Sequence, residues 1–188
     1  MHDIEPYYHW RHLYTAEADP RSIFFGRTYS EFEFSQTVYN YYIHPQWDEF
    51  GSKTLYLKIL YADYDAKFAI IEFIGEWNDT IENDIMELKR EVFDKLMAEG
   101  IIKFILIAEN VFNFHSGDKD YYEEFYEELS DENGWAVLVN FNPAAQHDFL
   151  LRKLNRYIEL MEISAWRTYK PDHFFQFIDQ KLSQRLSL

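Results

Sequence analysis

Lys67-Phe-Ala-Ile-Ile-Glu-Phe-Ile-Gly-Glu-Trp77 is a nearly unbroken apolar run closed by Gly-Glu. It opens a series that alternates strand and helix as far as Leu182. Asp79-Thr-Ile-Glu82 comes next, with capping-box character. Ile81, Ile85, Leu88, Val92 and Leu96 then recur at spacings of three and four, one stripe of an amphipathic helix. Gly100 stands where the helix should end. Ile101-Ile-Lys-Phe-Ile-Leu-Ile-Ala108 is the kind of run that a central strand covered on both faces requires. A polar connection over 109–118 leads to a helix from about Lys119 to Leu129, with Tyr122, Phe125, Tyr126 and Leu129 facing inward. Trp135 to Phe141 is a buried strand, and Asn142-Pro143 opens a helix that turns Phe149, Leu150 and Leu154 to the core. Glu159 to Ser164 supplies a last short strand. Lys170-Pro171-Asp172 opens the final helix, with Phe174, Ile178 and Leu182 four apart. Such alternation predicts one α/β domain, a mixed and mostly parallel sheet with helices packed on it.

Upstream, Thr54-Leu-Tyr-Leu-Lys-Ile-Leu-Tyr61 is a strand joined to the next by five polar residues, which makes an antiparallel hairpin. The first 53 residues are rich in aromatics. His9 to Tyr14 suits a short helical turn, Phe32-Glu33-Phe34 alternates, and Thr37 to Ile43 is rich in β-formers until His44-Pro45. These aromatic strands are expected to extend or cover the main sheet. The division is an N-terminal extension over 1–53, not independent, and an α/β body over 54–188.

The whole chain has 188 residues, 15 Tyr, 17 Phe and five Trp, and a net charge of −15. That aromatic content reads chiefly as core. A surface this acidic repels phosphate backbones and anionic lipid, so neither nucleic acid nor a membrane surface is expected as a partner. The absence of cysteine excludes disulfides, thiolate zinc sites, iron–sulfur clusters and cysteine nucleophiles. With no apolar leader and no long apolar span, the reading is a cytoplasmic protein.

Catalytic signatures are missing. There is no nucleophile elbow, no His-Glu-x-x-His and no glycine-rich phosphate loop among six scattered glycines. No cofactor is expected. His9 and His12 lack a carboxylate at matching spacing, so they read as an ordinary pair and no metal is expected. Ligands of parallel sheets gather at the carboxyl ends of strands. That rule selects Glu109, Asn110, His115, Ser116 and Asp118 as the candidate ligand or regulatory loop, with an ordinary polar connection as the plain alternative.

The order of elements resembles the STAS, or SpoIIAA-like, superfamily over roughly residues 54–186. Phe73-Ile-Gly-Glu-Trp-Asn-Asp79 is similar to its Gly-Glu-hydrophobic-Asp turn, 102–111 to its central strand and 170–182 to its closing helix. The resemblance implies a bacterial, non-enzymatic interaction or regulatory module with a protein partner or a small apolar ligand; a homodimer is compatible with it. In anti-sigma-factor antagonists of this superfamily the loop after the central strand carries a phosphorylated serine. Phe114-His-Ser-Gly-Asp118 matches that stretch and puts Ser116 at or next to the regulated position. Here His115 replaces an acid and Asp118 a glycine. The next helix carries Asp120, Glu123 and Glu124, which repel phosphate. The chain therefore looks more like members without the switch. The two alternatives are a phospho-regulated antagonist using Ser116 and an enzyme with a carboxylate or histidine site near Glu109, His115 and Asp118.

Overall fold

The computed structural model describes residues 2–186. In chain order the strands and helices are β1 (His2–Ile4), β2 (Thr37–Val38), β3 (Tyr41–Ile43), β4 (Leu55–Asp63), β5 (Phe68–Asn78), α1 (Asp84–Leu88), α2 (Asp94–Ala98), β6 (Lys103–His115), α3 (Asp120–Asp131), β7 (Trp135–Val139), α4 (Pro143–Leu151), β8 (Glu159–Met161) and α5 (Pro171–Leu186). The body is a five-stranded mixed sheet in the order β4-β5-β6-β7-β8. The β4–β5 hairpin is antiparallel and every later pairing is parallel.

Alternation along the strands builds two cores. Leu57, Ile59, Ala69, Ile71, Phe73, Phe104, Leu106 and Leu138 face the layer of α1 to α4. Phe68, Ile70, Ile105, Ile107, Val137 and Val139 face Trp166, Phe174, Ile178 and Leu182 from the C-terminal segment, joined by Trp10. Both faces are covered, so the strands lack polar alternation and read as continuous apolar runs.

Three expectations need correction. The first helix begins at Asp84, not near Thr80, because Asn83 takes a left-handed conformation with φ 53°. Ile85, Leu88, Val92 and Leu96 are fully buried as the stripe requires, but Ile81 is 78% exposed on the preceding turn. A π-helical turn over Lys89–Phe93 links α1 to α2. Next, β6 runs seven residues beyond Ala108, so most of the expected loop over 109–118 is strand. Finally, Tyr126 and Leu150 are exposed rather than inward. Each lies one residue past a buried partner, Phe125 and Phe149, and a step of one turns a helical side chain about 100°.

The N-terminal residues make their own three-stranded sheet, ordered β1-β3-β2. Its attachment to the body includes an antiparallel bridge between Asp48 and Leu57. Phe32 and Phe34 lie outside any strand, and Phe32 is 88% exposed. Trp10 is buried against Trp166, with ring centroids 5.7 Å apart, and its Nε1 donates to the Tyr169 carbonyl at 3.1 Å. The Tyr7 amide donates to Glu72 Oε2 at 2.8 Å. No helix among the described residues is long and apolar enough to cross a membrane.

Candidate functional site

The carboxyl ends of β5 and β6 lie side by side, pairing Asn78 with His115. Each strand gives way to a short polar turn, and the two turns interlock. The Asp79 amide donates to the His115 carbonyl at 2.9 Å, and Thr80 Oγ1 donates to the Ser116 carbonyl at 3.0 Å. Gly117 lies so close that a Cβ there would sit 2.6 Å from the Asp79 carbonyl oxygen, so this crossing admits only glycine without a shift of backbone. Gly75, within β5, allows a similar close approach to the residue before β4. At φ 123°, a Cβ there would meet the Thr54 carbonyl oxygen at 2.0 Å.

Asp79 organises the turn from below. Its Oδ1 accepts from Trp77 Nε1 and from the Ile85 amide, both at 2.9 Å, and its Oδ2 accepts from Tyr122 Oη at 2.6 Å. Ile85 is the second residue of α1. Asp79 therefore caps the helix as its sequence suggests, but from six residues away rather than as its first residue. Burial pushes its carboxyl up to about 7 against the pull of these three donors. Asp84, also buried, accepts the Asn78 amide at 2.7 Å, and burial raises it to about 6. Neither residue stands out as a site on sequence grounds. No local signal marks them, because the stretch between Trp77 and Ile85 is polar, with three acids and Ile81 as its one apolar residue.

The expected site residues separate into two places. Glu109 points to the α5 face, paired with Arg167 and 3.3 Å from Trp166 Nε1. Asn110 is its neighbour in β6, paired with Ile74. His115 is six residues beyond Glu109, roughly 20 Å at the rise of a strand. Glu109 thus lies far from His115 and Asp118, and the three share no common centre. His115 Nε2 sits 3.0 Å from Asn113 Nδ2 and 3.6 Å from Glu76 Oε1. Asp118 Oδ1 accepts the Asp120 amide at 3.3 Å, a local contact at the start of α3. Ser116 is held by α4. Its amide and its hydroxyl both donate to Asp148 Oδ2, at 3.0 and 2.9 Å. These donors hold the Asp148 carboxyl below its usual range. Around this point is a shallow open depression of about 500 Å³, bordered by Asp79, Thr80, Asn83, Ser116, Asp118, Tyr121 and Arg152.

Among the described residues, the one trio whose ligand atoms could share a metal ion is Asp3, Glu5 and His44, within 4.8 Å of one another. The His44 ring orientation opposes that use. Its Nδ1 accepts the Gln46 amide at 3.2 Å, which puts the ring proton on Nε2, the nitrogen facing Glu5 at 3.6 Å. His9 packs edge-on against Tyr7 and Tyr8.

No family model and no curated protein matches the chain. Among solved structures it is similar to the anti-sigma factor antagonist SpoIIAA in its unphosphorylated form, at 13% identity and a TM-score of 0.48, over 60% of this chain and 91% of that one. It is also similar to an anti-sigma factor antagonist from Mycobacterium paratuberculosis, at 17% identity and a TM-score of 0.44, over 65% of this chain and 94% of that one. The antiparallel hairpin, the three parallel additions and the alternating helices make the mixed α/β arrangement expected from the sequence.

Proposed function

We propose that the chain is a non-enzymatic regulatory or interaction module of the cytoplasm. The surface it presents to a protein partner is the turn at the carboxyl ends of β5 and β6, with Ser116 at its centre. The observation that supports this most is the construction of the depression around Ser116. Its rim is open, whereas Asp79 beneath it is spent on structure, holding three donors, and Asp84 holds the Asn78 amide through one oxygen while its other oxygen is enclosed in the protein. A rigid base under a shallow polar rim suits recognition of another surface. Catalysis asks instead for a free acid or base aimed into a closed pocket.

The test is a tagged pull-down from the native host with mass spectrometry of bait and partners. A stoichiometric protein that is lost with Asp148→Ala, a change that unpins Ser116, is the expected result. Retention of that protein by a Ser116→Trp variant would contradict the reading.

A second reading, phosphorylation of Ser116, draws on Arg152, which borders the same depression. Phosphate there would displace the hydroxyl from Asp148 and meet the charge of Asp118, with Arg152 as the compensating cation. The same mass spectra decide it. One phosphate on Ser116 supports a switch, and an unmodified serine in bait captured with its partner removes it.

A further inference from the structure

At the other end of the sheet, the amino ends of β6, β7 and β8 border a cleft of about 450 Å³ between α3 and α5. This is within the range of small-molecule sites. Three aromatic side chains line it: Tyr126 from α3, Trp135 from the start of β7 and Tyr157 from the turn before β8. Tyr126 and Tyr157 meet edge to face at 6.0 Å, and the Trp135 ring stacks on Phe175 at 6.1 Å. Tyr126 sits at a helical position that sequence assigns to the core, yet 44% of it is exposed, on the rim of this cleft.

Two cations reach the same space, and they are differently placed. Lys103 is neutralised, with Nζ 2.7 Å from Asp179 Oδ1, an oxygen that also accepts from Trp135 Nε1 at 3.0 Å. Arg156 lines the cleft, as Glu159 does, and its guanidinium makes no ion pair or hydrogen bond among the described residues. A guanidinium without a carboxylate partner is notable on a chain of net charge −15. It offers a planar fork of donors that matches a carboxylate. Aromatic walls beside it suit a flat apolar body that stacks or meets them edge-on.

We propose that this cleft binds a small planar molecule with one carboxylate, an aryl carboxylic acid, whose acid group pairs with Arg156 and whose ring lies among Tyr126, Trp135 and Tyr157. This site is independent of the partner surface at Ser116, because the two lie at opposite ends of β6.

The experiment uses the full chain labelled with nitrogen-15 and naphthalene-2-carboxylate as the probe, followed by two-dimensional NMR. Saturable shifts of the Trp135 indole and of backbone amides 133–136 and 156–157 are expected. Trp135→Phe identifies the indole signal. Naphthalene-2-carboxamide, which lacks the charge, should bind roughly tenfold or more weakly. Arg156→Met keeps an unbranched apolar stem at an exposed position, removes the guanidinium, and should weaken the carboxylate by the same factor while leaving the amide spectrum of the fold intact. Equal binding of acid and amide, an Arg156→Met protein that binds as well as the parent, or no saturable shift at millimolar probe would each overturn the proposal.

Discussion

Two buried polar clusters bracket β5 and β4, and they are satisfied in opposite ways. Beneath the Ser116 turn, Asp79 fills its acceptor sites with three short hydrogen bonds, all from the body. At the seam with the N-terminal residues, Lys58 of β4 is buried beside Asp48 and Glu17. Its Nζ lies 3.4 Å from Asp48 Oδ2 and 3.7 Å from Glu17 Oε2, and these three atoms make no hydrogen bond among the described residues. The other Asp48 oxygen accepts from Arg27 at 2.9 Å and from Tyr29 at 2.6 Å, while Lys58 Nζ sits 3.8 Å over the Tyr29 ring. Hydrogen bonds fix the first cluster locally. The second works through charge between distant segments, which is how a polar seam ties one part of a chain to another. A network held by Coulomb attraction tolerates small shifts but not the loss of a partner.

The sharpest way to break this contrast is to remove the extension. Without residues 1–53, Lys58 loses all three neighbours, Glu72 loses the Tyr7 amide, and Trp10 leaves the apolar face around Trp166. A chain of 54–188 is expected to lack a cooperative thermal transition by circular dichroism. A sharp melt within a few degrees of the parent would make the seam dispensable. Next in size, Asp48→Ala leaves a buried ammonium facing only Glu17 and should cost about 3–5 kcal/mol in urea unfolding, the range for breaking one side of a buried pair. Asp79→Ala strands three buried donors, at roughly 1 kcal/mol or more each. About 3 kcal/mol is expected for it, with Asp79→Asn recovering part because its oxygen still accepts from Trp77 and Ile85. A smaller loss for Asp79→Ala than for a surface change such as Glu132→Ala would mean that the turn is not held by Asp79.

Glu72 supplies a further effect through pH. Burial raises its carboxyl from 4.5 to about 8. The folded state therefore holds a proton that the unfolded chain releases. The associated stability is complete below about 4.5 and is lost as pH climbs through about 8. Asp79 acts in the same direction between 3.8 and about 7. Glu72→Gln keeps an acceptor for the Tyr7 amide and should gain up to about 5 kcal/mol over the parent at pH 9 while matching it at pH 4. Identical pH profiles for the two proteins would show that Glu72 ionises freely.

The order of elements was legible because it rests on period. Apolar runs for β5 and β6, and the stripe through Ile85, Leu88, Val92 and Leu96, survive intact in the structure. The illegible parts depend on contacts between segments distant in sequence. Nothing near residue 108 says that β6 continues to His115; the partner residues Ile74–Asn78 of β5 carry it there. Asp79 reads locally as the first residue of a helix, and only the left-handed Asn83 moves that helix four residues on. The resemblance directs attention to Ser116, but nothing local points to Asp148, which holds that serine from 32 residues away. Arg156 and the aromatic cleft gave no local sign, since Tyr126 fits a helical apolar stripe as well as it fits a rim.

The central claim is that the turn around Ser116 faces a partner. A photo-cross-linking residue placed at Asp118, exposed on that rim, tests it most directly, with Glu132 near the opposite end of the sheet as the control. In the native host the account predicts a discrete cross-linked protein from position 118 and none from 132. Equal labelling at both positions, or a discrete product from 132 alone, would contradict it.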